Sequence, residues 1–598
     1  MIRFFIFLAS LAWISHGVVA KEPKLWPGFV DSGYNSEQVR EIRFAEDARA
    51  IIVAPSVDEF DLERPTLLVI YATPNGNTAE QTLGCQLAEG MDWHFDIQHA
   101  AAQWRVFRKL GKDRNSVLAC VQADALSWPS WKGVRPTGPQ QIRQIVESLA
   151  AMTPGKDVSI VLTGHSGGGS FLFGYLDAVE EIPSAIERIA FLDANYGYDN
   201  EQHHGEKLLK WLSANESHTF VTLAYDDRNI ELNGKKVVGP TGGTFRATHR
   251  MLDFLEDEIP LKKDQQGEFD RFVGVNGQLT ALVHPNPKNI ILHTRLVGEM
   301  NGLLEVLTLG TPYHEKWGKL EPTRAYTTSI QPAPYVPSTW HGSAPALPAR
   351  KADFPGGSAV IESLLAAKPD AREAAIAREI IRGNVPHFWR KFESVSAESP
   401  DADGQTHKIA FRVSPDYLAV GSDEDFVRVP LTPYIAQHIA DMVGCVLPTR
   451  KMVDDIYQHT DSKLAPLPLT EERESLATFL EHHQLVQRQL QNQPARFVAG
   501  IKKDVVITKE VAKRPGHVAI YGWHKLDGKP IQPLTTVHVD WYVDYSHGIR
   551  LVDQWAEVDG KAMLVRDVLQ DKNLCSLLSD EGPLDAASYH TQFAKPTQ

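Results

Sequence analysis

From about Asn35 to Leu309 short apolar runs alternate with amphipathic stretches. That pattern predicts strands alternating with helices around a mostly parallel sheet. The strands read as Thr66–Tyr71, Val117–Val121, Val158–Thr163, Ile189–Leu192, Thr219–Ala224 and Ile290–Thr294. Their nearly unbroken apolar character fits strands covered on both faces, so this part of the chain is α/β. Between roughly Thr327 and Gly357 the periodicity stops and Pro, Ser, Gly and Ala take over, as in Gln331-Pro332-Ala333-Pro334, which predicts a linker. A helix is expected from about Asp370 to Arg382. Mixed short elements follow, and a small antiparallel sheet is expected over Val505–Val552, where Val, Ile, Tyr, Trp and Thr alternate with Gly-containing turns. The expected organisation is 1–20 as a leader, 35–325 as an α/β domain, 326–357 as a linker and 358–598 as an α+β domain.

Composition supports this division. A chain of 598 residues exceeds one hydrophobic core, with about 150 residues per domain as the guide. Apolar content of 43% and charged content of 23% are those of a folded globular protein. The net charge of -14 offers no basic face for phosphates, so nucleic acid is not an expected partner. The first twenty residues hold a lone Arg3, an apolar run from Phe4 to Ile14 and the small-residue pattern Val18-Val19-Ala20 before Lys21. That run is half the length of a spanning helix, and it reads as a cleaved signal peptide that sends the protein to the periplasm or the exterior, without stable membrane insertion. Four cysteines, Cys85, Cys120, Cys445 and Cys575, do not make a disulfide scaffold, but an oxidising compartment allows one bridge in each half.

The sharpest chemical signal follows the strand Val158–Thr163: Gly164-His165-Ser166-Gly167-Gly168-Gly169-Ser170, then the helical Phe171-Leu172-Phe173-Gly174-Tyr175-Leu176. Strand, G-x-S-x-G and helix arrive in the order of a nucleophile elbow, where a serine on a strained turn needs small neighbours so that strand and helix can approach. The same turn puts Ser166 at a helix N-terminus, where backbone N–H groups such as that of Gly167 can receive a developing oxyanion. On this elbow and strand order, residues 60 to 315 resemble the α/β-hydrolase fold family. The resemblance implies a mostly parallel sheet with flanking helices, a serine nucleophile at Ser166 and no cofactor. It also implies a second oxyanion donor in the loop after Thr66–Tyr71, where Gly76 and Asn77 of Thr73-Pro74-Asn75-Gly76-Asn77-Thr78 stand; the alternative is an ordinary Asn-Gly turn.

In that family an Asp or Glu and then a His follow the serine along the chain. Asp226 and Asp227, after Thr219–Ala224, occupy the place of the acid, and Asp193, at the end of the preceding strand, is the alternative. For the base, His293 falls inside an expected strand and His249 inside an expected helix, which leaves His314. The segment after Ile290–Thr294 carries Glu305 near the place where the family pattern expects the histidine, so a carboxylate base, or a degenerate site, is the competing expectation.

The C-terminal region resembles an uncharacterised bacterial family through Ser414-Pro415-Asp416-Tyr417-Leu418-Ala419-Val420-Gly421, Gly444-Cys445-Val446-Leu447-Pro448-Thr449-Arg450, Ile520-Tyr521-Gly522-Trp523-His524 and Tyr542-Val543-Asp544-Tyr545-Ser546-His547-Gly548. That resemblance carries no activity. A thiol before a helix with histidines supplied later is the order used by small cysteine peptidases and amidases, which makes Cys445 with His524 and His547 a possible second site; a buried or bridged Cys445 is the other reading. No H-E-x-x-H or paired C-x-x-C spacing supports a metal. The leading expectation is an exported carboxylic-ester hydrolase that forms an acyl-enzyme on Ser166 and acts on a small-molecule or cell-envelope substrate. The alternatives are a non-catalytic cell-wall or polysaccharide-binding protein and the cysteine enzyme.

Overall fold

The computed structural model describes residues 25–44, 47–232, 234–318, 320–335, 345–401, 403–490, 497–584 and 588–589. The segment read as a signal peptide lies outside these residues, as does 336–344 of the stretch read as a linker.

The α/β domain is built from β1 (Val30–Asp31), β2 (Glu37–Phe44), β3 (Ala48–Pro55), β4 (Pro65–Ala72), β5 (Asn115–Ala123), β6 (Lys156–His165), β7 (Ile186–Leu192) and β8 (Thr219–Tyr225). A short hairpin, β9 (Glu231–Leu232) and β10 (Lys235–Lys236), precedes β11 (Lys262–Gln266), β12 (Phe269–Gly274) and β13 (Leu279–His284). Apart from the hairpin these strands form one sheet in the order β1-β2-β3-β5-β4-β6-β7-β8-β13-β12-β11. The run β5-β4-β6-β7-β8-β13 is parallel, and antiparallel strands extend both edges. Strand order reverses at β4 and β6, and ligands of open α/β sheets bind at the carboxyl ends of strands at such a switch point.

Side-chain alternation explains why the parallel strands look apolar throughout. Along β4, Leu68, Ile70 and Ala72 enter one core while Leu67, Val69 and Tyr71 enter the other. The second core is roofed by α1 (Ala79–Leu83) and α2 (Ala100–Leu110), and α3 (Trp128–Gly133), α4 (Gly138–Met152), α5 (Gly169–Asp177), α6 (His204–Ala214) and α7 (Thr244–Glu258) pack into the first. Two last helices, α8 (His293–Val297) and α9 (Gly302–Thr308), return to the second core. Among the described residues no helix is long and apolar enough to cross a membrane.

One expected strand is displaced. Ile290–Thr294 is not a strand: Ile290 and Ile291 are exposed in a loop and His293 opens α8. The last parallel strand is β13, and Pro285 and Pro287, which cannot donate to a ladder, separate it from the apolar triplet that resembles a strand.

The C-terminal α+β domain holds a five-stranded sheet built on 393–400, 406–413 and 552–558, and a four-stranded sheet in the order 530–535, 520–524, 503–505, 547–548. Its helix Pro369–Ile381 matches the expected one. The small sheet is antiparallel except for one pair, Lys503 and Asp504 running parallel to His547 and Gly548. The core does not stop between the domains: Ile142, Ile145 and Leu149 of α4 share one cluster with Ile376, Ile380 and Ile439 of the C-terminal part. Ser148 and His438 are hydrogen-bonded across that seam at 2.8 Å. The described flanks of the linker stretch are docked, Tyr335 hydrogen-bonded to Glu37 at 2.9 Å and the Ala346 N–H to the Val443 carbonyl.

All four cysteines are buried free thiols, so neither expected bridge forms.

Candidate active site

Ser166 sits between β6 and α5 with φ +53, a left-handed conformation that a non-glycine residue adopts only under constraint. The constraint comes from crowding around its glycines. A Cβ on Gly168 would stand 2.3 Å from the Ala72 carbonyl oxygen at the end of β4, and one on Gly169 1.6 Å from the Ala194 carbonyl oxygen. Only glycine lets the turn and the start of α5 wedge between the ends of β4 and β7. The Ser166 hydroxyl lies beside the Tyr196 hydroxyl, on the side from which it would donate to it. Tyr196 as a whole is 42% exposed, but burial of its hydroxyl end, reinforced by Asp193 and Asp227, raises its pKa far above the ordinary phenol value, so the hydroxyl stays protonated.

The histidine at this edge of the sheet is His293. Its Nδ1 is hydrogen-bonded to the buried Asp193 carboxylate, which leaves Nε2 as the nitrogen for proton exchange. Two contacts fix it next to the elbow. The ring of His165, the residue before Ser166, lies 4.4 Å from the His293 ring, and His165 Nε2 is 3.1 Å from the His293 carbonyl oxygen. Burial keeps His165 neutral, so its Nε2–H donates there. The Tyr225 hydroxyl, at the end of β8, lies near the backbone N–H groups of Leu292 and His293 at the start of α8.

Asp193 follows β7 with φ +47, its N–H donated to the Leu223 carbonyl at 2.7 Å. Its carboxylate accepts from His293 on one oxygen and from the Thr244 hydroxyl on the other. Thr244, first residue of α7, also donates its N–H to Asp227 at 2.9 Å. One threonine thus bridges two buried carboxylates. Burial, reinforced by the neighbouring Asp193 charge, pushes the Asp227 carboxyl up to about 6.

Of the residues singled out from sequence, the fold gathers Ser166, Gly167, Asp193, Asp227 and the discounted His293. It separates the rest. Asp226 is turned to Arg228, which pairs with it at 2.7 Å, and does not touch the histidine. His314 is corrected as base. It bonds Glu305 at 3.0 Å, and its neighbour Tyr313 bonds Asp113, just before β5 begins. The carbonyls of Val306 and Leu309 at the end of α9 bind Arg188, near the start of β7. His314 and Glu305 therefore lie at the amino ends of the parallel strands, and Ser166 at the carboxyl ends.

The oxyanion loop is also refined. The Gly76 N–H is donated to the Leu126 carbonyl at 2.8 Å and the Asn77 N–H to the Pro74 carbonyl, so both amides are occupied. Asn75 is the residue of this loop that meets the elbow: its Oδ1 lies 2.0 Å from where a Gly167 Cβ would be. Tyr196 and Thr244 carried no periodic or motif signal in the sequence, and Asn75 was visible only as part of the Asn-Gly loop.

The cysteine alternative fails on geometry. Cys445 lies in a strand paired with 552–558, whereas His524 and His547 belong to the other sheet. Burial, reinforced by Asp553, raises the Cys445 thiol well above its usual range, the reverse of an activated thiolate. His524 is bonded to Asp454 at 2.9 Å.

No family model matches the chain, and no curated protein matches it. Among solved structures, a thermostable esterase aligns at 11% identity and a TM-score of 0.28, over 48% of this chain and 62% of that one, so the chain spans less than two thirds of it. The siderophore hydrolase EstB from Aspergillus nidulans aligns at 9% and 0.23, over 45% and 94%. Brefeldin A esterase, described as a bacterial homologue of human hormone-sensitive lipase, aligns at 13% and 0.21, over 48% and 78%. With such scores, the chemistry here is read from this chain's own residues.

Proposed function

We propose that the protein is an exported serine hydrolase that cleaves carboxylic esters, with Ser166 as nucleophile, His293 as general base and Asp193 as the carboxylate that orients it. The observation that carries this reading is the meeting, at one switch point, of a strained serine and a histidine whose Nδ1 is committed to a buried aspartate. As Ser166 Oγ attacks the ester carbonyl, His293 Nε2 takes its proton. The carbonyl oxygen becomes an oxyanion that accepts from the Gly167 N–H and from the Asn75 side-chain N–H. Collapse expels the alcohol, which leaves with the proton from His293, and the acyl group remains on Ser166. Water, deprotonated by His293, then releases the acid and regenerates the serine.

Exposed Ile290 and Ile291, two and three residues before His293, give the mouth of the site an apolar lip suited to a hydrophobic acyl or alkoxy group. The N-terminal apolar run with its small-residue end supports export. The degenerate binding-protein reading loses its motive, because it rested on Glu305 in place of the histidine, and Glu305 lies at the opposite edge.

The test is labelling of the folded protein with a fluorophosphonate probe. Wild type and His314→Ala should label, Ser166→Ala should not, and His293→Ala should label far more slowly. Absence of labelling in folded wild type would overturn the proposal.

A further inference from the structure

We propose that the C-terminal domain carries a second, anion-binding site, formed by Lys503, His547, His538, Tyr542 and Arg473, that takes a small carboxylate or phosphate oxyanion. Lys503 faces His547 across the parallel pair and Gly522 across the antiparallel one. Partners in a parallel register project to the same side, so the ammonium and the imidazole stand together.

Lys503 is buried, which pulls its ammonium pKa down, and the Asp544 charge restores this only in part. Among the described residues no carboxylate lies within 4 Å of its Nζ, which is 5.4 Å from the Trp523 ring. Asp544, the nearby acid, is already committed: it accepts from Arg473 at 2.5 Å, from the Tyr542 hydroxyl at 3.1 Å, and from both the N–H and the hydroxyl of Ser546. Its function is to hold Arg473 and Tyr542 in place. His547 is 1% exposed, and neither ring nitrogen has a hydrogen-bond partner. A buried imidazole normally satisfies at least one, so this one is left with an N–H to give.

The floor formed by Lys503 and His547 is buried, but the residues around it reach solvent. Arg473, His538 and Tyr542 are half-buried, and Trp541 beside them is 71% exposed. The His538 ring stacks on Tyr542 at 4.6 Å and lies 6.1 Å from His547. Trp523, beneath the Lys503 ammonium, has φ +56, a strained backbone for a large side chain of the kind that clusters at ligand sites. Behind the floor lies the buried Lys502, which burial pulls down to about 7 and which is bonded to the Tyr545 carbonyl. The set is rich in charged and neutral N–H and O–H donors and short of free carboxylates, which selects an oxyanion. A metal ion fits poorly: the lysines and Arg473 repel it, and among the described residues no group of three or more His, Cys, Asp or Glu is arranged for one.

The test is calorimetric titration of the full chain with inorganic phosphate and, separately, with succinate, at low ionic strength. Wild type should bind at least one of them saturably; phosphate alone would identify a phosphate ligand, and succinate alone a carboxylate. Lys503→Met should weaken binding at least tenfold, and Lys503→Arg should largely retain it. Ser166→Ala should bind like wild type, and Lys503→Met should keep wild-type ester turnover. Urea midpoints report whether each variant is folded, and His547→Gln serves as the second variant if Lys503→Met is not. Absence of saturable binding of either anion to wild type overturns the proposal, as does wild-type affinity in a folded Lys503→Met or, in its place, His547→Gln.

Discussion

Replacing Asp227 by Asn should stabilise the protein, and more so as pH rises. The carboxyl is buried beside Asp193, and its proton is held up to about 6 against an ordinary value of 3.8. The native state therefore binds a proton more tightly than the unfolded chain, and stability is lost as pH climbs through that window, with the full cost present above about 6. The displacement corresponds to about 3 kcal/mol at pH 8 and roughly half of that at pH 5, taking 1.36 kcal/mol for each pKa unit. Asparagine keeps an acceptor for the Thr244 N–H and carries no charge toward Asp193. Urea unfolding of wild type and Asp227→Asn at the two pH values measures the gap between them. It should favour the variant at both and roughly double from pH 5 to pH 8. A pH-independent gap, or a variant less stable than wild type at pH 8, would refute the placement of two interacting carboxylates under Thr244.

Three further outcomes are expected. His293→Ala should lower kcat/KM on an activated ester by about 10⁶-fold and Asp193→Asn by about 10⁴-fold, the scales seen when a serine hydrolase loses its base and the tautomer it needs, while His314→Ala leaves it unchanged. Gly169→Ala should destabilise the fold by about 1–3 kcal/mol or more, read as a lower urea midpoint, because its methyl meets the Ala194 carbonyl oxygen. Thiol titration without reductant should find no fast-reacting cysteine in the native protein and all four after unfolding, since every thiol is buried and free.

What the sequence reveals of this site follows from how local each constraint is. The elbow is legible because its glycines answer a local steric demand that depends on a few neighbouring residues. Asp193 and Asp227 are legible as acids at strand ends, but choosing between them needs His293, which arrives from α8 and bonds Asp193, while burial beside that charge keeps Asp227 protonatable. His293 is misread because Ile290-Ile291-Leu292 is more apolar than Leu279-Thr280-Ala281-Leu282-Val283-His284. Apolarity alone does not separate an exposed lip from a buried strand, whereas the Pro285-Asn286-Pro287 break could have. The Lys503 cluster is invisible from spacing, because its members are scattered through strands and loops between residues 473 and 547 and meet only in the folded chain.

The seam between the two halves has a practical meaning for anyone who wishes to study them apart. Because α4 and its neighbours share a water-free layer with the C-terminal helices, ending the polypeptide in the 336–344 stretch would strip a broad greasy wall from each fragment. Such walls attract one another in solution, so separately expressed halves should clump or co-purify with chaperones, while co-expressed halves should find each other and reassemble. The sequence looks like two beads on a string; in the fold each bead completes the other's interior.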